Sequence, residues 1–154
     1  MADVKKVPPD QLLERLVDEM KKDDRIKVPE WANYLKAGVH RESSWVQPDW
    51  YYRRMASILR KVYLKGPVGI SRLSEDYGGK VDRGSKGYHP EKGSRYIIRS
   101  MFHSLEALGY IKKEKEGRVA APKGMSLLDK ASKEVLKELS EKDEAFKKYL
   151  YTDR

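Results

Sequence analysis

Residues 48–67 read Pro48-Asp49-Trp50-Tyr51-Tyr52-Arg53-Arg54-Met55-Ala56-Ser57-Ile58-Leu59-Arg60-Lys61-Val62-Tyr63-Leu64-Lys65-Gly66-Pro67, and this stretch decides the fold. A proline–aspartate opening and a glycine–proline stop are the asymmetric punctuation of a helix. At about 100° per residue, Tyr51, Met55, Ile58, Leu59, Val62 and Tyr63 share one arc. Arg53, Arg54, Ser57, Arg60, Lys61 and Lys65 fill the opposite arc, with no acid among them. The wet face of a core helix ordinarily mixes charges. The stretch therefore predicts a central helix, buried on one side and cationic on the other. Trp50 falls in the cationic arc, either as a stacking platform or as an anchor against the N-terminal helices.

Upstream, Pro8-Pro9-Asp10 opens a helix to about Asp24, with Leu12, Leu13, Leu16, Val17 and Met20 as its apolar stripe. A short helix follows Pro29, with Trp31, Tyr34 and Leu35 inward and Gly38 at its end. Downstream comes a one-to-two-turn helix from Ile70 to Tyr77. The 16 residues from Gly78 to Gly93 hold five glycines, Pro90 and the basic residues Lys80, Arg83, Lys86 and Lys92. They show no apolar period and read as a long loop, of the kind that is either functional or disordered. Backbone N–H groups and cations in such a loop suit phosphates.

Ser94 is a good N-cap for a helix ending at Gly109, with Ile97, Ile98, Met101, Phe102 and Leu105 inward and Arg95, Tyr96, Arg99 and His103 outward. The segments 110–114 and 118–121 read as a small basic hairpin, and a charged helix runs from Ser126. Phe146, Tyr149 and Leu150 either dock the end of that helix or stay exposed for a partner. Helix, short helix, helix, hairpin is the order of a winged helix-turn-helix, with the hairpin as the wing. The fold class expected is mainly α, a winged-helix-like bundle around the basic central helix, with extra N- and C-terminal helices. One feature departs from the pattern. A helix-turn-helix that reads DNA has a turn of about three or four residues where this chain has the glycine-rich stretch.

Charge points the same way. The chain of 154 residues carries 33 Lys+Arg against 24 Asp+Glu, a formal net charge of +9. Residues 1–49 hold 9 basic and 10 acidic groups, residues 50–123 hold 17 and 7, and residues 124–154 hold 7 of each. The whole excess lies in the middle of the chain, the footprint of a polyanion site rather than of general solubility. No cysteine is present, so a disulfide framework, a thiol nucleophile and a cysteine zinc site are excluded. A stretch of roughly 20 apolar residues able to span a membrane is missing, and the N-terminus has no apolar signal core. A soluble intracellular protein is expected.

Catalytic signatures are lacking too. Neither a P-loop nor a dinucleotide-binding glycine motif occurs, and Gly84-Ser85-Lys86-Gly87 is too short for either. His40, His89 and His103 lie in three different elements without metal-ligand spacing, and read as surface, stacking or phosphate-contacting residues. Glu75 and Asp76 are adjacent on a helix and do not converge. No enzyme, cofactor, metal or small-molecule substrate is expected.

Several motifs carry a resemblance. Pro29-Glu30-Trp31, Gly38 with His40, the 49–66 stretch, Tyr77-Gly78-Gly79, Gly93-Ser94 with Arg99, Leu105-Glu106 with Leu108, and Gly117-Arg118 resemble the archaeal and eukaryotic small-ribosomal-subunit protein family nineteen-e. The resemblance covers about residues 7–139. It implies a winged-helix-derived fold, residence in the head of the small subunit, contact with small-subunit ribosomal RNA and a part in subunit maturation. It also carries the family's RNA-facing basic positions over to Arg54, Arg60 and Arg99. Ala120-Ala121-Pro122 departs from the family's Leu-Thr-Pro, and residues 140–154 lie outside its pattern. The absence of Cys and the Lys/Glu-rich composition lean towards an archaeal, thermophilic version.

The expectation is thus a single domain over 1–154, comprising a winged-helix-like ribosomal part (8–139) and a charged helical tail (140–154). The expected RNA surface is Trp50, Arg53, Arg54, Arg60, Lys61, Lys80, Arg83, Lys86, Arg95, Tyr96 and Arg99, with Trp50 and Tyr96 as stacking platforms. Partners expected are ribosomal RNA and neighbouring small-subunit proteins, with a monomer outside the cytoplasmic ribosome. Two rivals stand beside this reading. One is a winged-helix DNA-binding regulator; the other is an interaction module using the C-terminal helix, its basic patch merely solvated.

Overall fold

The central helix forms over Trp50–Lys65, and its apolar arc becomes the middle of the core: Met55, Ile58 and Leu59 are wholly buried and Tyr51 and Val62 nearly so. Each such aliphatic side chain contributes about 1.5–3 kcal/mol through the area it removes from water. A computed structural model describes residues 3–150. The first two residues, and the part of the expected tail over 151–154, lie outside the described residues.

In chain order the elements are α1 (Asp3–Lys6), α2 (Pro9–Lys21), a 3-10 turn (Glu30–Asn33), α3 (Trp50–Lys65) and α4 (Ile70–Asp76). Then come β1 (Gly79–Arg83), β2 (Lys86–Glu91), α5 (Arg95–Ala107), β3 (Ile111–Glu114), β4 (Gly117–Ala120), α6 (Pro122–Lys142), a 3-10 turn (Glu144–Phe146) and α7 (Lys147–Leu150). Helix α3 touches α2, α5, α6 and β4. The α3–α4–α5 trio with the β3–β4 hairpin is the expected winged helix, and the hairpin is fastened to the trio at one point. Val68 and Arg118 exchange backbone hydrogen bonds of 3.1 and 3.0 Å, adding a third, one-residue strand to the wing.

Four sequence expectations are corrected. The glycine-rich stretch from Gly78 to Gly93 is a second antiparallel hairpin, β1–β2, not a loop. Its Gly84-Ser85 connection is a two-residue hairpin turn, with Gly84 at φ +73° and its N–H bonded to Asp82 Oδ1 at 2.8 Å. The short helix after Pro29 is a single 3-10 turn. Tyr34 points outward, 82% exposed, and Ala32 takes the buried place. The reversal expected at Gly38 falls on Ala37, which has φ +66°. Helix α6 starts one turn before Ser126, with Pro122 in the first turn where its missing N–H costs nothing.

The terminal helices complete the bundle. Val4 and Val7 are buried, α1 packs on α6, and Arg15 of α2 pairs with Glu134 of α6 at 2.8 Å. That pair ties α2 to α6. Phe146 and Tyr149 pack partly buried against the core, whereas Leu150, the last described residue, is exposed, so the two outcomes divide between these residues.

Gly124 in α6 lies against strand β3's approach: a Cβ there would meet the Tyr110 carbonyl oxygen at 2.3 Å. Alanine ordinarily improves a helix interior over glycine by about 1 kcal/mol. Here the clash reverses the sign. Gly124→Ala should lower stability by about 1–3 kcal/mol in urea unfolding; a stabilised variant would show that α6 and the wing are not so closely joined.

Candidate nucleic-acid interface

The cationic arc of α3 is free of acids along its own helix, but other elements supply them. Arg53 sits 3.3 Å from Asp49 and 3.8 Å from Glu14 of α2. Lys61 lies 3.5 Å from Asp76, at the end of α4, and Lys65 reaches the same carboxylate. Arg54 stacks its guanidinium 4.0 Å from the Tyr77 ring centre and 5.3 Å from that of Trp45. Lys61 Nζ is 3.9 Å from the same tyrosine ring, whose hydroxyl is hydrogen-bonded to Ser57 at 2.7 Å.

Burial drives the titration of this cluster. Desolvation pulls Arg54 below its usual range, helped by Arg41 and opposed by Tyr77. Lys61 is lowered by burial against the pull of Asp76, and burial raises the Tyr77 phenol. Asp76 is held below the ordinary carboxylate range by its hydrogen bond from Lys65, against the opposing effect of its own desolvation. Arg60 is half-buried, and its Nε is without a hydrogen-bond partner. The arc is thus largely structural, and the expected free stripe is corrected to a partly neutralised one.

Trp50 is corrected more sharply. It is 5% exposed, donates its indole N–H to the Ala32 carbonyl at 3.2 Å, and stacks on Trp45 at 5.1 Å with planes 7° apart. It is an anchor, not a platform. A chain of rings leads from this pair to the surface: Trp50 to Tyr51 at 5.8 Å, Tyr51 to Trp31 at 6.2 Å, and Trp31 to Tyr96 at 5.5 Å. Tyr96, 60% exposed, keeps a face towards solvent.

The exposed cations stand elsewhere. Lys80 and Lys86 on the β1–β2 hairpin, and Arg95 and Arg99 one turn apart on α5, are exposed and have no acidic partner within ion-pair distance among the described residues. Arg83 is tied to Glu91 at 3.5 Å, which also lies 3.6 Å from His89. Ser94 caps α5 through the Ile97 N–H at 3.5 Å. The wing adds exposed Lys112, Lys113 and Lys115, which the sequence placed in a basic hairpin without naming as contacts. Arg41, 4.1 Å over Trp45, was also missed; no local signal marks it.

The glycines at the root of the hairpin pack backbone on backbone, and the N–H groups of Gly78 and Gly93 already donate to the Glu75 and Ser74 carbonyls. A Cβ at Gly78 would meet the Glu91 carbonyl oxygen at 2.2 Å, and one at Gly93 would meet the Tyr77 carbonyl oxygen at 2.8 Å. His40, expected at the surface, is half-buried with its ring lodged against Gly38 and Gly79. Among the described residues, no cluster of three or more His, Cys, Asp or Glu could hold a metal, and no helix is long and apolar enough to cross a membrane.

Three helices, a wing pinned to Val68 and an edge of exposed cations make this a winged-helix protein of basic surface. It belongs to the ribosomal protein S19e family, whose sequence profile matches residues 3–138. The chain is 52% identical over 150 residues to small ribosomal subunit protein eS19 of Thermoplasma acidophilum, covering 97% of this chain and 100% of that one. It is 49% identical, with the same coverage, to the protein of that name from Thermoplasma volcanium. To small ribosomal subunit protein eS19A of Schizosaccharomyces pombe it is 37% identical over 123 residues, covering 79% of this chain and 85% of that one. The family is one of structural ribosomal proteins of the cytoplasmic ribosome, as the motifs implied.

The low Asp76 pKa has a consequence for stability. A carboxyl held below its unfolded value, about 3.9, contributes stability that is fully present above that pH and is lost as the pH falls through the folded value. Asp76→Asn should be less stable than the parent at about pH 6 and should lose less on acidification to about pH 2.5 in urea unfolding. Identical acid slopes would mean that the Lys61–Asp76–Lys65 contacts are not stabilising.

Proposed function

We propose that this protein is a structural constituent of the small ribosomal subunit, seated in its head. There it binds small-subunit ribosomal RNA through a basic face and supports subunit assembly and maturation. The observation that carries the reading is the set of exposed cations without acidic partners, Lys80, Lys86, Arg95 and Arg99, set on a hairpin and the helix that directly follows it. A cation kept without an acid is available to phosphate. The names of the relatives, small ribosomal subunit protein eS19, favour the small subunit.

The role is electrostatic and architectural. Phosphates repel one another where RNA helices pack, and side-chain cations release condensed counterions and hold the helices together. Most such contacts go to backbone phosphates and position without reading sequence. A-form RNA hides its deep groove, so recognition falls to shape, 2′-hydroxyls and unstacked bases. Arg95 and Arg99 serve as phosphate contacts and Tyr96 as the exposed ring beside them. Arg54, held over Tyr77, and Arg60, with its unpartnered Nε, are the contributions of α3. Arg53, Lys61 and Arg83, already paired with Asp49, Asp76 and Glu91, contribute less than the unpaired cations. Neighbouring ribosomal proteins cover other faces of the chain, which is monomeric when free. A DNA-reading role is disfavoured by the β1–β2 hairpin, which stands where a helix-turn-helix has its short turn.

Fractionation of cell lysate on a sucrose gradient tests the reading. The protein should travel with small subunits and stay there in moderate salt. Arg95→Glu with Arg99→Glu should leave the protein at the top of the gradient with its melting unchanged, because surface substitutions usually stay within about 0.5 kcal/mol. Engagement of about six phosphates would give a slope near −5 in log affinity against log salt for duplex-like RNA. Parent protein found only at the top, or sedimenting with chromosomal DNA, would overturn the proposal.

A further inference from the structure

A groove of about 970 Å³ opens between residues 35–39 and the start of α5, beside the β2 strand as it leaves the hairpin. Leu35, Val39 and Ile97 give it apolar walls, and Lys36, Lys92 and Arg95 give it cations. Val39 is 75% exposed here. The groove's acid, Glu91, is occupied by Arg83 and His89 at 3.5 and 3.6 Å. Lys92 is drawn 2.9 Å from Glu75, which leaves Lys36 and Arg95 as the groove's cations without an acidic partner among the described residues.

The groove is fixed in shape by backbone contacts. Ser94 N–H donates to the Ala37 carbonyl at 3.2 Å, and Gly38 bridges Gly93. Its two sides therefore belong to one clamp and do not depend on an occupant to bring them together. Apolar walls next to unpaired cations complement a ligand with an apolar, planar body and an anionic link. A paired RNA duplex presents only the anionic part, because its bases are stacked inside. An acidic peptide matches the cations and leaves the apolar walls wet.

We infer that this groove is a subsite for an unstacked nucleotide of single-stranded RNA, its base against Leu35, Val39 and Ile97 and its phosphate against Lys36 and Arg95. The inference rests on the RNA-binding reading above and adds to it a distinction between two kinds of RNA. Duplex RNA is held by the exposed cations; a looped-out or terminal nucleotide is held by the groove as well.

The test uses the full-length protein, labelled with nitrogen-15, titrated separately with a uridine hexamer and with a blunt RNA duplex. The hexamer should shift the amides of residues 36–39 and 93–95, and the duplex should leave 36–39 unmoved. Val39→Asn, at an exposed position that preserves charge, should weaken hexamer binding about fivefold, roughly what the loss of one buried methyl group costs. Its duplex affinity and melting temperature should match the parent's. Lys36→Gln, a second exposed site, should act in the same direction. If both RNAs bind but residues 36–39 stay still and Val39→Asn binds the hexamer like the parent, the groove assignment falls and the surface reading stands. If neither RNA binds, both fall. If the groove amides respond to a poly-glutamate peptide and not to the hexamer, the groove belongs to a protein partner and the inference is overturned.

Discussion

Backbone packs directly on backbone where residues 37–40, the end of α4 and the root of the β1–β2 hairpin meet, and the placement of the exposed cations depends on that contact. Gly93 N–H donates to the Ser74 carbonyl at 2.7 Å, and the Gly78 Cα lies where any Cβ would strike the Glu91 carbonyl. The His40 ring occupies the space that side chains at Gly38 and Gly79 would need. Because Gly79 begins β1 and Ser94 caps α5, one junction orients both the hairpin and the helix after it. Side chains would wedge these elements apart. The glycines here serve proximity, and their richness is a packing requirement before it is anything else.

The basic charge divides into two populations with different physics. On α3, Arg53, Lys61 and Lys65 lie beside Asp49 and Asp76, and Arg54 rests on an aromatic ring. These pairs are partly buried, and each fixes the geometry of the elements it joins as well as adding to stability. They hold α4 and Tyr77 against α3 and so support the hairpin root from beneath. Lys80, Lys86, Arg95 and Arg99 do nothing of the kind. Their lack of partners leaves their field uncancelled and directed at solvent, which is where a polyanion would approach.

Legibility in the sequence followed the range of the interactions. The core arc of α3, the Ser94 cap and the wing were readable because each is set by residues within one or two turns of one another. The β1–β2 hairpin was not, because nearly all of its residues face solvent and no apolar alternation survives. Its one local signal was the Gly84-Ser85 pair, a two-residue hairpin turn. Trp50 was ambiguous for a different reason: the carbonyl it meets belongs to Ala32, 18 residues away. A helical projection likewise sees no acid opposite Lys61, since Asp76 arrives from the next helix. Of the residues expected at the site, Lys80, Lys86, Arg95, Tyr96 and Arg99 are exposed as foreseen, whereas Arg53, Lys61 and Arg83 have acidic partners and Trp50 is interior.

The ring chain running from Tyr96 to Trp45 also gives the protein an optical character. All three tryptophans of the sequence, Trp31, Trp45 and Trp50, sit in that one chain. Trp45 and Trp50 are nearly parallel at 5.1 Å, close enough for their transitions to couple. Indole emission excited at the red edge, where tyrosine does not absorb, therefore reports on the surroundings of these three rings. Loosening of α6 and α7 at the far side of the bundle would pass unseen by that emission, while any shift of α5 that moved Tyr96 on Trp31 would register at once.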